Sequence, residues 1–129
     1  MSKTRVFISF DYDHDSVLKE FLVGQSKLPD TPFELADWSI KEPIAGDWEK
    51  KAEGRVGAVG VVAVICGENT HTAKGVTAEI KMAQKLGIPY FLLKGYKEKN
   101  CTFPVGVTSS DKMYNWTWDN LKLLVGGSR

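Results

Sequence analysis

Glu79 is the side chain most able to do chemistry in this 129-residue chain. Val76, Ile80 and Ala83 recur at helical spacing, and Glu79 stands three residues after the first of them and four before the last. That spacing predicts a half-buried carboxylate on the border of an apolar stripe, in the first turn of a helix. A carboxylate placed so can act on a sugar-like oxocarbenium centre, as nucleophile or as stabiliser of the charge. The same spacing also suits an edge glutamate paired with Lys81, Lys85 or a backbone N–H.

Asp11, Asp13 and Asp15 open like a calcium loop. Ser16 then stands where such a loop needs glycine, and Leu22 where it needs a bidentate glutamate, so no metal is expected there. A phosphoacceptor site would need an aspartate at the end of the third strand, where Cys66 stands instead. Capping of the next helix by Asp13 or Asp15 is the simpler reading. The chain has no G-x-x-x-x-G-K-[ST], no G-x-G-x-x-G and no G-x-S-x-G. His14 and His71 are loop residues that either line a cleft or are solvated, and Cys66 suits a small buried hydrophobe. Trp38 lies in a long irregular stretch, where an indole can stack on an adenine or nicotinamide ring, whereas Trp48 opens a helix and can simply pack. Asn69 and Thr70 offer groups that can read ribose or phosphate, or that can serve turn and cap chemistry.

These residues need a scaffold, and the chain alternates strand and helix about five times. Residues 5–10 (RVFISF) read as a first strand. Val17, Leu18, Phe21 and Leu22 then mark a helical apolar face that ends near Gly24 and Pro29. Residues 33–36 form a second strand, 37–46 a long loop, and 47–56 a weak helix. Residues 59–66 are apolar throughout, as in the buried middle of a parallel sheet. The Glu79 helix ends at Gly87, and residues 88–93 and 113–115 supply two more strands. Trp118, Leu121, Leu124 and Val125 mark a last helix, and 126–129 a frayed tail. This order predicts one α/β domain over residues 1–129: a three-layer, flavodoxin-like fold with a five-stranded parallel sheet in the order 2-1-3-4-5. Such sheets bind ligands beyond their carboxyl ends where the strand order reverses, here between strands 1 and 3. The loops 11–15 and 67–74 meet there, and 37–46 borders the same edge.

Composition narrows the partners. The formal net charge is +1, with 17 basic and 16 acidic residues, which leaves no electrostatic footprint for nucleic acid or an anionic membrane. No apolar run approaches the roughly 20 residues that span a bilayer, and the first residues lack a signal-peptide layout, so a cytoplasmic location is expected. Two cysteines make no disulfide scaffold.

The order of these motifs resembles a known family. The opening RVFISF resembles the first strand of TIR domains, and residues 73–83 (AKGVTAEIKMA) resemble the TIR helix read as W-V-x-x-E-I-x-x-A. The combination FISFDYDHD, then Asp37-Trp38-Ser39-Ile40, then Gly67-Glu68-Asn69-Thr70, is similar to the TIR-like family that includes the ThsB proteins of Thoeris antiphage defence. The resemblance runs from about residue 4 to about 94 and implies a TIR-like fold. It implies that Glu79 is the catalytic residue of an enzyme that cleaves NAD at the nicotinamide–ribose bond, with NAD as substrate and no cofactor. Phe10 and Asp11 after the first strand, and Trp38 and Ser39 after the second, would wall the nucleotide pocket. A cyclic ADP-ribose-like signal is the product expected of Thoeris-type members. Gly75 departs from the pattern's Trp, which either opens the pocket or weakens it. Two other readings stand beside this one: a TIR-like signalling module that works by self-association without catalysis, and a nucleoside deoxyribosyltransferase-like enzyme with a glutamate nucleophile.

Overall fold

A computed structural model describes residues 4–29, 31, 33–38 and 48–126 of the chain. β1 (Thr4–Ser9) leads into α1 (Tyr12–Ser26), β2 (Phe33–Trp38) and α2 (Trp48–Gly57). β3 (Val61–Cys66), a 3-10 turn (Thr70–Thr72) and α3 (Lys74–Leu86) follow, then β4 (Tyr90–Lys94), β5 (Met113–Asn115) and α4 (Trp118–Val125). The five strands are all parallel and lie in the order β2-β1-β3-β4-β5, as the alternation of strand and helix predicts.

Strand composition explains the layering. β3 reads VVAVIC and is buried at every position, because helices cover both of its faces. Alternate residues of the sheet feed two cores. Val6, Ile8, Ala63, Ile65, Phe91 and Leu93 pack against Leu18 and Leu22 of α1 and Leu121 and Leu124 of α4. Phe7, Val62, Val64 and Leu92 pack against Val56 of α2 and Val76, Ile80 and Ala83 of α3. A register shift falls between Val6 and Phe7, so Leu35 is level with Val6 while Asp37 is level with Phe7. This carries the end of β2, at Trp38, level with Ile8.

The helix ends follow from local chemistry. α3 stops at Gly87, whose φ of 71° is left-handed backbone that suits glycine, and whose N–H donates to the carbonyls of Ala83 and Gln84. α4 starts after Thr117, whose hydroxyl accepts from the Asn120 N–H at 3.1 Å.

α1 departs from its sequence pattern in three ways. It begins at Tyr12, so Asp13 and Asp15 lie inside it rather than capping it, whereas its end at Ser26 falls between Gly24 and Pro29 as the sequence predicts. Its core side is Leu18 and Leu22, while Val17 and Phe21 are 52% and 61% exposed. Asp15 is non-helical (φ −119°, ψ 17°), and the helix kinks there. The tail at 127–129 lies outside the described residues. No described helix is long and apolar enough to cross a membrane.

Candidate functional site

The strand order reverses at β1, which has β2 on one side and β3 on the other. Ser9 is the last residue of β1 and is level with Val64 of β3. Its hydroxyl donates to Glu79 Oε1 at 2.7 Å, and both residues are buried, Glu79 to 2% exposure. α3 descends from the carboxyl edge of the sheet, and Glu79 lies five residues past its start, about 7.5 Å along the axis. Glu79 thus sits in the second turn rather than the first, and fully rather than half buried. It occupies the i+3 place within the stripe Val76, Glu79, Ile80, Ala83 rather than its border. The alternative partner Lys85 reaches Glu53 at 3.3 Å, on α2.

A buried carboxylate loses several kcal/mol of hydration, while a hydrogen bond to a charged group returns about 1.5–3 kcal/mol. The Ser9–Glu79 pair therefore orients one carboxylate oxygen at the carboxyl edge of the sheet, beside the strand-order reversal.

The other sequence candidates distribute around this edge. Phe10 follows β1 and is buried in the α1-side core. Asp11 is buried and its Oδ2 faces His14 Nδ1 at 2.7 Å, so His14 is tied to the loop after β1. Trp38 ends β2 at the same edge, and Ser39 lies outside the described residues. Thr70 is fully buried, and its hydroxyl accepts from the Gly67 N–H at 2.7 Å, which folds the loop after β3 back on itself. Asn69 is exposed, and its carbonyl accepts from the Thr72 N–H at 3.0 Å and the Thr72 hydroxyl at 2.8 Å. At Gly75, a Cβ would meet no atom of the described residues within 4 Å.

Several residues at this edge give no signal as single letters. Ser9 occupies the last position of β1 on the α3 side, which strand alternation from Phe7 could have located. Thr102 straps the loop after β4 to the loop after β3: its N–H donates to the Gly67 carbonyl at 2.8 Å, and its hydroxyl lies 3.0 Å from His71 Nδ1. Asp15, from the kink in α1, is 2% exposed and wedged against Gly67. Tyr96 donates to its Oδ1 at 3.3 Å, and its Oδ2 has no hydrogen-bond partner among the described residues. Burial, reinforced by the nearby charge of Asp11, pushes the Asp15 carboxyl above its ordinary value; the Tyr96 hydroxyl, His14 and Lys99 pull the other way. Burial also raises the Cys66 thiol, which leaves it protonated and a poor nucleophile.

Comparison with known proteins adds one finding. The family profile described as "Thoeris protein ThsB, TIR-like domain" matches residues 7–99, a span that runs from the second half of β1 through the Glu79 helix and past β4. No curated protein matches the chain.

Proposed function

The chain belongs to the Thoeris ThsB TIR-like domain family, a family of antiphage defence, and on that premise we propose that it cleaves NAD at the nicotinamide–ribose bond. The observation that carries this reading is the buried Ser9–Glu79 hydrogen bond at the strand-order reversal. A carboxylate held in a desolvated place is costly to stability, and such groups gather where charge develops during a reaction.

In the proposed reaction the C–N glycosidic bond breaks, and its electron pair leaves with the nicotinamide nitrogen. The pyridinium charge is thereby neutralised, so the leaving group needs no strong acid. Positive charge develops on the ribose carbon and ring oxygen, and Glu79 stabilises it. The Ser9 hydroxyl positions Glu79 by holding Oε1. Attack by water yields linear ADP-ribose and releases a proton. Attack by a nitrogen or hydroxyl of the same molecule yields a cyclic signal, the product that suits a defence role.

The test is chromatography of NAD incubated with concentrated protein, comparing wild type with Glu79→Gln. Wild type is expected to release nicotinamide, and Glu79→Gln to release none while keeping a native circular dichroism spectrum. Full turnover by folded Glu79→Gln would refute the mechanism. A wild-type protein that releases no nicotinamide at any concentration would refute the activity and favour a non-catalytic signalling module.

A further inference from the structure

Two cavities adjoin beyond the carboxyl ends of β4 and β5. One, of about 530 Å³, is lined by Lys94, Gly95, Lys97, Asn115, Trp116 and Thr117. The other, of about 480 Å³, shares Gly95, Lys97 and Trp116 and continues along α1 over Val17, Phe21 and Tyr96. Together they form a cleft with a cationic, polar half and an apolar, aromatic half.

Among the described residues, none that lines the cationic half is acidic. Lys94 and Lys97 have no acidic partner among the described residues, whereas the neighbouring Lys99 pairs with Glu68 at 3.6 Å and lies over the Tyr96 ring. Two unpaired ammonium groups in a concavity attract an anion more strongly than the same groups on a convex surface. Trp116 divides the two halves. Its Nε1 donates to Gln25 Oε1 at 2.8 Å, so the polar edge of the indole is occupied and its ring surface is what remains to offer a ligand. Gly95 forms the shared floor. A Cβ there would fall 2.5 Å from Leu18 Cδ1 and 2.9 Å from the Cys66 carbonyl, so only glycine lets the chain lie flat under both cavities.

An anion joined to a flat aromatic body matches both halves. We propose that this cleft is a nucleotide-binding site, with phosphates between Lys94 and Lys97 and the base against Trp116, toward Tyr96 and Phe21. It is separate from the Ser9–Glu79 pair. Ser9 is level with Val64, while Lys94 is level with Cys66, two residues further along and two strands across. Strand geometry makes that separation about 12 Å.

Isothermal titration calorimetry with ADP, adenosine and inorganic pyrophosphate tests the proposal on wild type, Lys94→Ala, Lys97→Ala and Glu79→Gln, each first shown to be folded. ADP is expected to bind saturably, with one site per chain that depends on Lys94 and Lys97. Each lysine variant should weaken it about tenfold, the loss of one charge-assisted hydrogen bond to phosphate. Adenosine and pyrophosphate should each bind at least about tenfold more weakly than ADP, since each fills half the cleft. Glu79→Gln should bind ADP as wild type does. Absence of ADP binding up to about 5 mM would overturn the proposal. So would binding indifferent to both lysines, or equal binding of pyrophosphate and ADP. Loss of binding in Glu79→Gln would overturn the proposal by moving the ligand to Glu79, and octyl phosphate, titrated alongside, binding as tightly as ADP would replace the nucleotide by an amphiphile.

Discussion

Substituting Gly67 by alanine should change sign with the residue at position 15. A Cβ at Gly67 would lie 2.7 Å from Asp15 Cγ and closer still to the carboxylate oxygens. Asp15 is 2% exposed at a helix kink, so its carboxyl has little space to retreat into. Overpacking of this kind costs about 1–3 kcal/mol. Gly67 is not among the glycines with left-handed backbone, so the backbone itself accepts alanine. Alanine also stiffens the unfolded chain, which stabilises by about 0.4–1 kcal/mol. The net cost in wild type is therefore about 1–2 kcal/mol. With about 2.1 cal/mol/K of unfolding entropy per residue over 129 residues, that is a fall in Tm of about 4–7 °C. In an Asp15→Ala background the obstructing atoms are gone, and Gly67→Ala should raise Tm by about 1.5–4 °C. Urea denaturation of the four proteins at pH 7 closes the cycle, with an expected coupling of about 2 kcal/mol. An equal cost in both backgrounds would refute the wedge of Asp15 against Gly67.

Other outcomes follow from the same site. Asp15 holds its proton more tightly folded than unfolded, so protonation stabilises the fold and that stability is lost as pH rises from about 3.8 through the raised folded value. Asp15→Asn should therefore gain over wild type as pH rises toward neutrality, by about 1.4 kcal/mol for each unit of upward shift, and a difference independent of pH in denaturant titrations would contradict this. Ser9→Ala removes the hydroxyl that donates to Glu79 Oε1; it should cost about 1–3 kcal/mol of stability in urea and lower the kcat for nicotinamide release while KM changes little. Thr70→Val removes the acceptor of the buried Gly67 N–H and should cost about 1–3 kcal/mol, with faster amide exchange at Gly67 and its neighbours by NMR.

The sheet order was legible because each strand is followed by a connection long enough for a parallel crossover, and because β3 is apolar at every position. Glu79 was legible from its spacing relative to Val76 and Ala83, although its depth was underestimated. The outward face of α1 was not legible. Val17 and Phe21 form the same i, i+4 pair as Leu18 and Leu22, and only packing against the sheet selects the second pair. Asp15 was hidden for a different reason. Its burial comes from Gly67 and Tyr96, both far along the chain, so nothing local distinguishes it from a helix cap. Thr70 suits both ribose or phosphate recognition and turn chemistry, and the hydrogen bond from the Gly67 N–H shows the turn role. Ser39 lies outside the described residues, as do all the residues between β2 and α2.

The pairing of β1 with β3 bears on how the chain emerges from the ribosome. Val6 finds its partner Val61 more than fifty residues later, and the helix that carries Glu79 follows later still. At about 5–20 residues per second, the apolar run Val6-Phe7-Ile8 waits roughly 3–11 s before the central strand arrives. During that interval β2 is the strand partner that β1 can reach, and its other edge stays open to neighbouring chains, so early chaperone capture should raise the yield of native protein.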